Sequence, residues 1–165
     1  MSVVAAKVTD KDIVIASDSI VIKGSTMRRD FDKLQSLNGI VVGGCGAAEE
    51  LTLFFEYVKV NDPPSGSVAA IQEFMKNFYK HKEQFVGENK SECDYLLIIN
   101  RELYEVEGLY VKEVDDYTAI GEGEPYALTA LHLGLSPRKA VEVAADLCCY
   151  VSTPIQSYVV SKVVD

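Results

Sequence analysis

The chain has 165 residues, 48% of them hydrophobic and 25% charged, with only 5 prolines; this fits one folded domain with a real core and excludes extended disorder. Its 25 acidic residues against 16 basic ones leave a net charge of −9, a field that repels a phosphate backbone and argues against nucleic acid as a partner. The longest apolar stretches, such as Ile13–Ala16 and Tyr95–Ile99, fall far short of the ~20 residues a membrane helix needs. Residues 1–11 lack the basic-then-apolar order of a signal peptide, so a cytoplasmic protein with no membrane partner is expected.

In chain order, Ser2–Val8 and Ile13–Ser17 flank the polar tetrad Thr9-Asp10-Lys11-Asp12 and read as a β-hairpin. Ile20–Lys23 reads as a further short strand, broken by Gly24-Ser25, and Gly39–Gly44 contains a buried one in Ile40-Val41-Val42. Leu51, Phe54, Phe55 and Val58 recur at helical spacing, which predicts a helix over Ala47–Val60 that Asn61–Gly66 ends. Ser67 is placed to cap a second helix, with Val68, Ile71, Phe74, Met75 and Phe78 facing the core. Strands are expected at Tyr95–Ile99, Leu103–Val106, Leu109–Val111 and Tyr117–Ile120. Helices follow at Pro125–Leu133 and Pro137–Leu147, the latter capped by Ser136, and Val159–Val164 is read as a closing strand. Strands in runs and helices in runs, twice over, predict an α+β sandwich of two sheets with a helical layer outside each, in a single domain over residues 1–165.

The chemistry-bearing residues are individually ambiguous. Cys45, Cys93, Cys148 and Cys149 form no CxxC pair and no ligand spacing with His81 or His132, so free, largely buried thiols and no structural zinc are expected. Gly43-Gly44-Cys45-Gly46 joins a strand to a helix but lacks the third glycine of a dinucleotide fingerprint. Two readings stay open: close backbone packing, or a row of N–H groups able to hold an oxyanion. Gly121-Glu122-Gly123-Glu124-Pro125 is a second strand-to-helix turn. Ser2, Asp18 and Lys33 read singly as a small second residue, a strand end and a surface cation. A Cys45 nucleophile with His81 or His132 as base is disfavoured. His81 lies in Tyr79–Lys82, which reads as a solvated helix face, and His132 sits between Leu131 and Leu133.

Taken together these features resemble one family. Ser2-Val3-Val4-Ala5, Ile15-Ala16-Ser17-Asp18-Ser19, Lys33 before a short strand, and Gly43–Gly46 leading into Leu51-Thr52-Leu53-Phe54 appear in the order seen in proteasome β-type and HslV-like N-terminal nucleophile hydrolases. Ala119–Leu128 and Asp146–Tyr150 extend the resemblance over nearly the whole length. It implies a four-layer αββα fold and a peptidase whose mature chain begins at Ser2 after Met1 is removed. Ser2 would be the nucleophile, its α-amine the base, Lys33 the positive potential, Asp18 the partner of Lys33, and the Gly44 N–H the oxyanion donor. Two departures stand out: serine replaces the family's nucleophilic threonine, and Glu122 replaces the serine that supports the α-amine. The resemblance also implies no required cofactor, a structural Na+ or K+ ion on the carbonyls of Ala145, Cys148 and Val151, a homo-oligomeric ring (stacked as a double ring in the family), a polypeptide substrate and a separate ATPase unfoldase. Two alternatives remain: a catalytically inactive assembly subunit that retains Met1, and a small-molecule amidase of the same fold.

Overall fold

The computed structural model describes residues 2–87 and 90–163. Strands β1 (Val4–Val8) and β2 (Asp12–Ser17) form the expected hairpin, its turn closed by the Thr9 hydroxyl, which accepts the Asp12 N–H at 2.9 Å. A small hairpin, β3 (Val21–Lys23) and β4 (Thr26–Arg28), precedes β5 (Leu34–Leu37) and β6 (Ile40–Gly46). Helices α1 (Ala48–Val60) and α2 (Val68–Val86) follow, then β7 (Cys93–Ile99), β8 (Glu102–Glu107), β9 (Tyr110–Val114) and β10 (Tyr117–Ile120). The chain continues through α3 (Glu124–His132), α4 (Pro137–Leu147) and β11 (Gln156–Ser161). Among the described residues no helix is long and apolar enough to cross a membrane.

Two antiparallel sheets result, in orders β10-β1-β2-β11 and β5-β6-β7-β8-β9. Side chains alternate across a strand, and here both faces of the central strands are covered. Val4, Ala6, Ile13 and Ile15 meet Val41, Leu96 and Ile98 between the sheets. Val3, Ala5 and Ala16 turn outward onto Ala127, Leu131, Val141 and Ala144 of α3 and α4. On the opposite side, Val42, Tyr95 and Leu97 pack under Phe54, Phe74 and Phe78 of α1 and α2. The order is therefore helices, sheet, sheet, helices, the αββα arrangement expected. Burial on both faces is why the strands read as continuous apolar runs rather than alternating ones.

The caps behave as predicted: the Ser67 hydroxyl accepts the Ala70 N–H at 3.3 Å, and Ser136 accepts from Lys139 at 3.4 Å. Most element limits shift by one to three residues, and the short strands β4 and β5 join those expected; three shifts have a plain cause. Helix α1 starts at Ala48, because β6 runs on to Gly46. Strand β9 starts at Tyr110, because Gly108 and Leu109 form the turn between the paired Glu107 and Tyr110. Strand β11 begins at Gln156, opposite Ser17, and ends at Ser161 rather than at Val164, which lies outside the described residues. Its edge position leaves Val159 65% exposed, so apolar patterning did not set its limits.

Candidate active site

Pairing between β1 and β2 carries past Val4 and Ser17: the Asp18 N–H donates to the Val3 carbonyl at 3.3 Å. Asp18 is thereby held one residue from Ser2, and its carboxylate accepts the Val3 N–H at 3.0 Å and the Ile20 N–H at 3.2 Å. From the start of β5, Lys33 reaches in and places Nζ 2.9 Å from both Asp18 oxygens. Ser2, Asp18 and Lys33 are 2%, 0% and 3% exposed. Burial pushes the Lys33 ammonium below the usual lysine range, while the adjacent Asp18 carboxylate pulls it back up. The pair thus delivers a desolvated cation beside the Ser2 backbone.

Ser2, Lys33, Gly44 and Gly46 line a cavity of about 170 Å³. Its remaining wall is apolar, with Ile20, Ile22, Phe31 and Leu51 prominent. On the far side of Ser2, the Gly123 N–H donates to the Ser2 carbonyl at 3.0 Å. Gly121, at φ +95°, packs so closely there that a Cβ would lie 2.5 Å from the same oxygen. Glycine is needed at that position for both torsion and space.

The glycine run of β6 divides by residue. A Cβ on Gly43 would sit 2.8 Å from Val4 Cγ1, and one on Gly44 would sit 2.4 Å from Leu51 Cδ1, so both serve close packing. The Gly44 N–H donates to the Lys33 carbonyl at 3.0 Å. This corrects the expectation that Gly44 is the oxyanion donor, since its N–H is engaged in the sheet. Successive residues of a strand direct their N–H groups to opposite neighbours. Gly46, two residues on, therefore directs its N–H to the side that Gly44 does, past the start of β5, where the cavity opens. The sequence signal for Gly46 was present in the glycine run, but which member faced the cavity depended on the pairing of β5 with β6.

Glu122 is exposed and lines a neighbouring cavity of about 310 Å³ with Cys45, Glu92, Asp94 and Glu124. Burial, with Glu107, Glu105 and Glu50 adding to it, raises the Asp94 carboxyl above its ordinary range. All four cysteines are free, three buried and Cys149 exposed. The Cys45 thiol donates to the Ile120 carbonyl at 3.5 Å, and burial pushes its pKa far up. His81 instead stacks near Tyr57 and Phe85, and His132 Nδ1 lies 2.9 Å from the Tyr117 hydroxyl. The Cys/His arrangement is not assembled. Ala145, Cys148 and Val151 gather at the C-terminal end of α4, where the Cys148 carbonyl accepts the Val151 N–H at 3.1 Å. The expected solvated face at Tyr79–Lys82 is also corrected: Tyr79 and Lys82 are buried, 7% and 3% exposed. They continue the helical stripe of Met75 and Phe78 at i+3 and i+4.

The fold defines a class, the four-layer N-terminal nucleophile hydrolase fold, and here a lysine–aspartate pair sits at the start of its first strand. The likenesses to known proteins carry this further. The chain is 28% identical over 158 residues to the ATP-dependent protease subunit HslV of Desulfovibrio desulfuricans, spanning 86% of this chain and 87% of that protein. Among solved structures, Thiobacillus denitrificans BPH superposes with a TM-score of 0.87 at 25% identity, covering 99% of this chain and 100% of that one. The same protein in complex with epoxomicin gives 0.87 at 24% identity over 96% and 98%. Eukaryotic HslV from Trypanosoma brucei shares the fold, with a TM-score of 0.73 at 17% identity over 96% and 99%. No family model matches the chain. The chain is thus similar in sequence to HslV and shares the fold of HslV and BPH.

Proposed function

We propose that this protein is a peptidase whose nucleophile is the Ser2 hydroxyl, exposed by removal of Met1. The observation that carries this reading is the buried Lys33–Asp18 pair, bonded through Asp18 to the Val3 N–H, with Ser2, Lys33 and Gly46 on one cavity. Met1 itself lies outside the described residues. Ser2 takes φ +147°, a conformation rarely adopted by residues other than glycine. A chain that begins at Ser2 has no such torsion, so cleavage removes that strain.

In the proposed reaction the freed α-amine, with an ordinary pKa of about 7.7–8.0, takes the hydroxyl proton, through a water in the family's scheme. The oxygen attacks the peptide carbonyl carbon. The tetrahedral oxyanion forms against the Gly46 N–H, while the Lys33 ammonium supplies positive potential and Asp18 fixes its position. Collapse breaks the C–N bond, and the amine that leaves takes the proton. Water then hydrolyses the acyl ester on Ser2 and restores the hydroxyl. The apolar wall of Ile20, Ile22 and Phe31 favours an apolar side chain on the acyl side of the cleaved bond.

The HslV relative is named as a subunit of an ATP-dependent protease. By that likeness we propose a cytoplasmic homo-oligomeric ring, polypeptide substrates and a separate ATPase unfoldase. No cofactor is required in this scheme. By the same likeness we propose a Na+ or K+ ion on the carbonyls of Ala145, Cys148 and Val151; of these, Ala145 lies in the last turn of α4, where helix carbonyls carry partial negative charge.

Intact mass tests the reading first: loss of one methionine is expected, with a β-lactone or epoxomicin adduct on Ser2. Peptide hydrolysis should vanish in Ser2→Ala. A retained Met1 with no adduct and no hydrolysis overturns the reading and leaves a non-catalytic assembly subunit. Hydrolysis of acyl-amides without hydrolysis of peptides would replace it with a small-molecule amidase.

A further inference from the structure

Helix α1 carries a carboxylate on its apolar face. Glu50 is 1% exposed, and its Oε2 lies 2.5 Å from Nζ of Lys82, which α2 brings in at 3% exposure. The rest of the network is satisfied. Glu50 Oε1 accepts the Tyr95 hydroxyl at 3.0 Å and the Ser91 hydroxyl at 3.3 Å, and Lys82 donates to the Lys90 carbonyl at 2.7 Å. Glu50 Oε2 also accepts the Glu92 N–H at 2.9 Å.

Such a pair is weak evidence for stability, because desolvating two charges offsets most of their attraction and an apolar pair of similar volume does as well. What this one grips is the segment from Lys90 to Cys93, and that segment reaches the cavity. The Glu92 carbonyl accepts the Ala47 N–H at 3.2 Å, and the Cys93 thiol donates to the Ala47 carbonyl at 3.3 Å. A Cβ on Gly46 would lie 2.1 Å from the Glu92 oxygen and 2.7 Å from Cys93 Cα. Glu92 is thus held by Glu50 at its N–H and bears on the Gly46–Ala47 turn at its carbonyl.

We propose that Glu50 and Lys82 are positioning residues that set the Gly46 N–H against the nucleophile, acting through the main chain of Glu92. This rests on the peptidase reading above. The pair replaces a generic helix contact with a directional one, since a carboxylate fixes the N–H it accepts in distance and in angle. A displacement of about 1 Å at such a donor is enough to cost roughly 100-fold in rate.

The test uses full-length protein in three forms: wild type, Glu50→Gln, and the apolar double variant Glu50→Leu/Lys82→Met, chosen because it should fold. Amide hydrogen exchange needs no activity. Exchange at Ala47 should quicken by about tenfold or more in both variants, while Leu97 in the core strand stays as in wild type. Under the peptidase reading, kcat should fall at least about tenfold with KM within about threefold, a split that loss of substrate binding would not produce. Folded variants with wild-type exchange at Ala47, or with faster exchange and unchanged kcat, overturn the proposal. A wild-type protein that neither cleaves peptides nor labels at Ser2 overturns the peptidase reading instead, and the exchange at Ala47 still decides whether the pair positions the turn.

Discussion

Asp18→Asn isolates the electrostatics of the site. The carboxylate is fully buried and bonds the Lys33 ammonium through both oxygens at 2.9 Å. The amide keeps an oxygen for a main-chain N–H but turns an NH2 group toward the cation. Removing one partner of a buried pair costs roughly 3–5 kcal/mol. The retained acceptor places this variant near the lower end, about 3 kcal/mol, and a chain of this length loses about 2–4 °C in Tm per kcal/mol, hence roughly 6–12 °C. The loss carries a pH signature. Burial already depresses the Lys33 pKa, and the opposing pull of Asp18 disappears in the variant, which depresses it further. The unfolded chain then binds more protons than the folded one over a window that ends at the unfolded value of about 10.4, so stability rises with pH through that window. Thermal unfolding followed by circular dichroism at pH 6, 7.5 and 9.5, at one protein concentration and one salt, should show the deficit shrinking as pH rises. A deficit equal at all three values, or a Tm within about 2 °C of wild type at pH 6, would refute the buried-cation argument.

Gly121→Ala and Gly108→Ala separate torsion from contact. Both glycines have positive φ, +95° and +59°, but only Gly121 would press a Cβ against the Ser2 carbonyl, at 2.5 Å. Denaturant unfolding should show a loss of about 3 kcal/mol for Gly121→Ala and about 1 kcal/mol for Gly108→Ala; equal losses would mean that the contact constrains nothing. Asp94→Asn should raise stability near neutrality, by roughly 2 °C in Tm. Burial and its acidic neighbours raise the folded Asp94 pKa, so the folded state holds its proton longer and stability falls as pH rises through that window. At pH 3.5 the two proteins should melt together, and a gain that persists there would contradict the assignment.

Helices were legible because their signals are local. The stripe from Leu51 to Val58, the Ser67 and Ser136 caps and the break at Asn61–Gly66 all act within a turn or two of chain. Strands were legible as apolar runs, but their limits were not, since β11 is an edge strand whose ends are set by pairing with β2. Lys82 was misread because a cation among Lys80 and His81 looks solvated until a buried carboxylate 32 residues away is known to face it. Gly44 was misassigned for the same kind of reason: a run of glycines announces N–H groups near a helix start, and strand pairing alone decides which of them is engaged.

By itself the sequence determined the order of the four helices and the longer strands, the layering and the separations of Ser2, Asp18 and Lys33, because periodicity, capping and spacing are properties of neighbouring residues; the short strands β4 and β5 lacked such a signal. The tertiary structure decided which main-chain donor faces the cavity, which charges are desolvated and which segment braces the turn. Those depend on strand register and on helices packing across a sheet, where the partners lie tens of residues apart and the free energy belongs to the contact rather than to either residue.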